Sequence, residues 1–137
     1  MGTRRRGREA ALQMLYQVDL SGCSASQAIA TFWPTLGAGR DGEEFANELV
    51  RGVVEHLDAI DDRIRSVSHH WRLERMARVD RNVLRLATHE ILHREDVPPR
   101  VTLNEAVELA KRFGSEGSGR FVNGILDRIA SEAGDVG

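Results

Sequence analysis

The 137-residue chain holds a single cysteine, Cys23, so no disulfide can form within it. That fits a reducing compartment, and nothing around Cys23 marks it as a nucleophile. No apolar run approaches the ~20 residues that a membrane span requires. The N-terminus is cationic, but no hydrophobic stretch follows it, which argues against a secretory signal. A soluble, cytoplasmic protein is expected. Alternation of apolar and polar residues is missing as well, so strands are not expected. Gly-rich phosphate loops, Ser or Cys nucleophile motifs and strand-borne carboxylate pairs are also absent, which leaves little room for an enzyme. Lysine is nearly lacking: of 19 basic residues only Lys111 is not arginine. Arginine suits bidentate phosphate contacts, although a GC-rich genome produces the same bias.

What is present is helical periodicity and an uneven distribution of charge. The formal net charge is only −2, which argues against indiscriminate nucleic-acid binding. Arg4, Arg5, Arg6 and Arg8 nevertheless open the chain before any acid, residues 41–62 are acidic, and residues 63–94 are rich in arginine. A first helix is expected from Arg5 to Leu20, with Ala11, Leu12, Leu15 and Val18 inward, ended by Ser21-Gly22. A second runs from Ala25 to Phe32, capped by Ser24 and stopped before Pro34, with a loop over 35–40. Asp41 with Glu44 resembles a capping box. Phe45, Leu49, Val53, Leu57, Ile60, Ile64 and Val67 then form one long stripe, with a break expected near Asp58 to Asp62.

A polar connection from His69 to Met76 contains Trp71. The next helix spans Asp80 to Arg94, with Val83, Leu84, Ala87, Ile91 and Leu92 inward, and ends before Pro98-Pro99. Thr102 with Glu105 reads as a capping box, and Gly114 as a left-handed stop. Ser118 starts a last helix with Phe121, Val122, Ile125, Leu126 and Ile129 as its stripe. Asn123-Gly124 inside it is locally unfavourable, by about 1 kcal/mol for the glycine. It suggests close backbone approach or a partner surface. Six or seven helices make the class all-α.

Three groups of residues bear on chemistry. His89-Glu90-Ile91-Leu92-His93 matches H-E-x-x-H, the zinc-protease signature, with Glu105 or Glu108 as nominal third ligands. The rest of the chain offers no sheet or cleft for such a site, and the flanks look like an ordinary amphipathic helix. The expectation is no metal and no cofactor. The arginines of helix one would attract phosphate, and Tyr16 further along could stack on an unpaired base. Short terminal Arg clusters are also often merely solvated. Arg81 and Arg85, four residues apart, share one side of their helix and would contact phosphate or pair with acids, the commoner fate.

Three strings carry a family resemblance: RRRGREAALQMLYQVD, RVDRNVLRLATHEIL and VPPRVTLNEAVELAKRFGSEGSGRFVNGILDRI. In this order and covering well over half the chain, they resemble the NusB family of bacterial transcription antitermination factors. The resemblance implies one NusB-like domain over 1–137, a compact helical bundle with halves near 1–57 and 58–137. It implies binding of boxA RNA from ribosomal RNA operons together with ribosomal protein NusE, and indirect contact with other Nus factors and RNA polymerase. By similarity, Arg4, Arg5, Arg6, Arg8, Tyr16, Arg81 and Arg85 fall on the RNA side. Asp80, Arg120 and Phe121 fall where the protein partner is expected, and the histidine motif lies on a structural helix. Gly117 departs from the family, whose members can carry an acid there. A rival expectation is an accessory or interaction domain of the kind that precedes the catalytic region of ribosomal RNA methyltransferases.

Overall fold

The computed structural model describes residues 2–36 and 39–134, all helical or in short connections. Seven α-helices follow one another, and no strand occurs among the described residues. The chain divides into two units, Met1–Glu55 and His56–Gly137.

The first unit holds α1 (Thr3–Ser21), α2 (Ala25–Leu36) and α3 (Glu43–Glu55). On α1 the buried stripe is Ala10, Ala11, Leu12, Met14 and Leu15, so Met14 joins the expected set while Val18 stays half-buried. α2 starts with a capping box: Gln27 N–H donates to Ser24 Oγ (3.0 Å), and Ser24 N–H to Gln27 Oε1 (2.9 Å). The helix does not stop before Pro34 but includes it. In the last turn the missing proline N–H forfeits one helical bond, and the Thr35 hydroxyl donates to Phe32 O at 2.7 Å nearby. Thr35 and Leu36 are therefore helical, and residues 37 and 38 of the expected loop lie outside the described residues.

No Asp41–Glu44 box forms. Gly42 starts α3 instead, accepting from Ala46 N–H at 2.8 Å, while Asp41 turns to Arg6. Gly42 has φ +79, and a Cβ there would lie 2.5 Å from Thr3 O and 2.8 Å from Gly7 N. Opposite it, a Cβ on Gly7 would meet Phe45 at 2.9 Å and Gly42 O at 3.0 Å. Two glycines thus let the backbone before α3 touch the first turns of α1. Any side chain at either position would push the arginine-bearing end away.

The second unit holds α4 (Leu57–Val67), a 3-10 turn (Leu73–Arg75), α5 (Arg78–His93), α6 (Pro99–Phe113) and α7 (Ser118–Gly134). The long expected stripe is continuous in pattern, but the helix breaks at His56, two residues before the acid cluster. α5 packs against α4, α6 and α7. It is consequently buried nearly all round from Asp80 to Glu90, rather than along one stripe. Leu86, Thr88 and Glu90 are buried, whereas Ile91 and Leu92 at its end are only half-buried.

Three capping expectations come out differently in detail, each for its own local reason. Thr102 is no cap, because α6 already starts at Pro99, where a proline needs no N–H partner. Its buried hydroxyl donates to Glu90 Oε1 at 3.2 Å instead. Ser118 is the first residue of α7, and its Oγ accepts from Ser115 N–H at 3.0 Å. Gly114 is extended (φ −95, ψ −157), so it is not a left-handed stop. Glycine is needed there because a Cβ would sit 2.5 Å from Ser118 Oγ and 2.7 Å from Ala110 O.

Gly124 is the opposite case. A Cβ there would meet nothing within 4 Å, so close approach within the chain does not explain it. Gly124→Ala should therefore stabilise the isolated protein by about 0.5–1 kcal/mol through helix propensity. Gly114→Ala should destabilise it by about 1–3 kcal/mol through overpacking. Urea denaturation of both variants checks the pair, and equal signs for the two would contradict these contacts.

Candidate nucleic-acid interface

In the first unit, Arg4, Arg5 and Arg6 are exposed on the opening turns of α1. The α1 N-terminus carries no acid in its first turn, so the helix dipole reinforces the local positive potential. Arg4 Cζ lies 4.7 Å from the centroid of the Phe45 ring, and Arg8 Cζ lies 5.3 Å from it. Arg8 is only 4% exposed, so it serves as packing between α1 and α3 more than as a surface cation. Arg6 Nη1 donates to Asp41 Oδ2 at 3.1 Å, with both side chains largely in solvent. Such an exposed pair contributes ~0–1 kcal/mol and yields readily to a competing phosphate.

Tyr16 is 37% exposed on the same helix. It stands eleven residues after Arg5, close to three full turns, so the two share a face about 16 Å apart. A cationic end and an exposed aromatic ring are thereby aligned along one rigid element.

In the second unit the two expected RNA arginines turn inward. Arg81 is 8% exposed, and its Nη1 donates to Leu73 O (3.1 Å) and Glu74 O (3.4 Å), tying down the 3-10 turn. Arg85 grips Asp61 of α4 bidentately, Nε to Oδ1 at 2.8 Å and Nη2 to Oδ2 at 3.0 Å. Both side chains of this pair are about nine-tenths buried, and Asn82 Oδ1 accepts a further bond from Arg85 Nη1. Pairing with an acid, the commoner fate, is what the structure shows for Arg85, while Arg81 is held by backbone carbonyls.

Asp80 lies in the first turn of α5 and is 9% exposed. Its Oδ1 is buried without a hydrogen-bond partner among the described residues. Arg120 is exposed on α7, where with Lys111, Glu116, Gly117 and Asn123 it lines a surface groove of about 550 Å³. Phe121 is half-buried, with its ring edge-on to Trp71 at 5.6 Å. Trp71 itself is 60% exposed. Sequence reasoning passed over it as part of a polar connection; a lone tryptophan there was the available signal. It also missed Phe45 and Asp61, whose roles depend on contacts between helices that no local pattern encodes.

The family model described as NusB family matches residues 5–131. The chain belongs to the NusB family. A NusB from Sorangium cellulosum, a transcription antitermination protein by name, is 58% identical over 136 residues, 99% of this chain and 97% of that relative. Among solved structures, T. maritima NusB is 44% identical with a TM-score of 0.86, covering 97% of this chain and 94% of that one. A complex of the antitermination factors NusB and NusE with double-stranded RNA contains a chain 30% identical to this one. It aligns with a TM-score of 0.85 over 95% of this chain and 97% of that one. Among the described residues the architecture here is all-helical.

The buried pair offers a direct test of what Arg85 does. Asp61→Ala leaves a guanidinium buried without its carboxylate and should cost about 3–5 kcal/mol of stability. A loss below ~1 kcal/mol in urea denaturation would mean that Arg85 does not depend on this contact.

Proposed function

We propose that this NusB-family chain is a transcription antitermination factor that binds boxA RNA of ribosomal RNA operons together with ribosomal protein NusE. It thereby promotes processive transcription by RNA polymerase. It is a binding factor rather than an enzyme, and works in the cytoplasm, where that RNA is made. No helix among the described residues is long and apolar enough to cross a membrane.

The observation that carries the residue-level reading is the exposed cluster Arg4, Arg5 and Arg6 at the start of α1, with Arg5 on the same helix face as Tyr16. The arginines neutralise phosphates and release counterions, which supplies affinity without sequence preference. Tyr16 offers a stacking platform for an unpaired base, a contact worth about 1–3 kcal/mol. Arg8 supports this surface from inside by packing on Phe45, whereas Arg81 and Arg85 hold the 3-10 turn and Asp61 within the second unit. On the partner side, Asp80 places a negative charge in the first turn of α5, which attracts a basic ribosomal protein. Phe121 with Trp71 supplies apolar surface, and Arg120 a charge beside it. The exposed, unencumbered Gly124 lies one turn beyond Arg120 on α7 and fits a surface that a partner approaches. NusE binding and RNA binding then raise each other's affinity by one shared coupling free energy.

Arg5→Ala with Arg6→Ala should weaken binding of single-stranded boxA RNA at least about tenfold at low salt. It should also reduce the slope of log K against log salt by about 1.4, at roughly 0.7 per lost phosphate contact. Fluorescence anisotropy at four salt concentrations, with and without NusE, reads both. Both arginines are exposed, so the fold should survive. An unchanged affinity and slope would move the RNA off this helix end. RNA binding only in the presence of NusE would favour the interaction-module reading.

A further inference from the structure

We propose that His56, His89 and His93 form a binding site for a divalent transition-metal ion of the zinc class. His89 and His93, at positions i and i+4 of α5, project from one helix face. His56, at the break just before α4, closes the third side. One ring nitrogen from each residue lies within 4.8 Å of the other two. Ring centroids are 4.4 Å apart for His56 and His93, 5.2 Å for His89 and His93, and 6.2 Å for His56 and His89.

A zinc ion sits about 2.0–2.1 Å from an imidazole nitrogen, so tetrahedral ligands stand about 3.4 Å from one another. The cluster therefore has to tighten by at most about 1.4 Å between nitrogens. His93 is exposed and His56 half-buried, so the solvent-facing His93 takes up most of that adjustment. His89 is the fixed member, 6% exposed, and its Nδ1 is buried with no hydrogen-bond partner among the described residues. Burial first, then His93, His56 and Arg94, push the His89 pKa down to about 4. Three converging imidazoles are a nitrogen donor set, which suits zinc, nickel or copper in preference to magnesium or calcium.

The H-E-x-x-H spelling of this segment does not make a peptidase of it. Glu90 is 1% exposed, and its Oε1 accepts from Thr102 of α6, so it is engaged away from solvent and not presented as a general base. The third ligand is neither Glu105 nor Glu108 but His56, 33 residues upstream of His89. That departs from the metal-free helix expected from the sequence. Bound metal would clip the start of α4 to the last turns of α5, stabilising the folded form by mass action.

The test uses the untagged full chain, stripped with EDTA and desalted, titrated with Co²⁺ by visible absorption and with Zn²⁺ by competition against a chromophoric chelator. One ion per chain is expected, with nitrogen-ligand cobalt bands and a melting temperature raised by Zn²⁺. His93→Ala and His56→Ala should each weaken binding by at least about tenfold and remove the thermal shift. Their metal-free melting curves and circular dichroism report that the fold is intact. His70→Ala, in the exposed pair His69-His70, should bind as the unaltered chain does. Absence of stoichiometric binding, or binding that survives both the His56 and His93 substitutions, would overturn the site.

Discussion

The second unit depends on satisfying a helix that is buried nearly all round. Between Asp80 and Glu90, α5 carries Asp80, Arg81, Asn82, Thr88, His89 and Glu90 out of water, and each polar group inside must find a partner or cost about 1–3 kcal/mol. Most of those partners lie on other elements: Asp61 on α4 for Arg85, the carbonyls of the 3-10 turn for Arg81, and Thr102 on α6 for Glu90. These bonds are directional where the surrounding apolar contacts are not. Leu84, Leu86, Leu126 and Ile129 supply the bulk driving force at about 1.5–3 kcal/mol for each fully buried side chain. The polar pairs decide the register in which those side chains meet.

In the first unit the corresponding constraint is steric. Gly42 and Gly7 touch backbone to backbone, and this contact brings Phe45 under Arg4 and Arg8. A guanidinium packed on an aromatic face loses rotamer freedom without losing its charge, so it meets a phosphate partly ordered in advance. Arg5, one residue further round the helix, shares its exposed face with Tyr16. Close glycine packing on one side of α1 is thus what holds the cationic edge steady on the other.

The class, the helix count and most helix spans were legible in the sequence, because apolar residues recur at three and four wherever a helix has one wet face. That is why α1, α3, α4 and α7 follow their stripes. α5 does not, because a helix packed on by three others has no wet face to contrast with its dry one. The capping signals divided on the same ground. Ser24 behaves as its local sequence suggests because its surroundings are solvent, whereas Thr102 was claimed by a buried carboxylate twelve residues earlier. Of the candidate interface, the clustering of Arg4, Arg5 and Arg6 was readable as composition. The inward turn of Arg8, Arg81 and Arg85 was not, since the deciding partners Phe45, Leu73 and Asp61 are distant in sequence or ambiguous in type.

This division between inward and outward arginines clarifies how a chain of net charge −2 can serve as an RNA-binding factor. Exposed acids elsewhere repel phosphate, so binding must be confined to where cations outnumber them locally and where neighbours do not neutralise them. Arg85 is cancelled by Asp61 at close range, and Arg65 by Asp62 and Glu74. These residues raise the arginine count without adding to the outward potential. On the opening turns of α1, Arg6 is paired with Asp41 through an exposed bond that water and salt weaken. The field that an approaching RNA meets is therefore set by geometry rather than by total charge. The same logic explains why a surplus of arginine between residues 63 and 94 need not mark a second RNA surface: most of the side chains resolved there already have an acid or a carbonyl within reach.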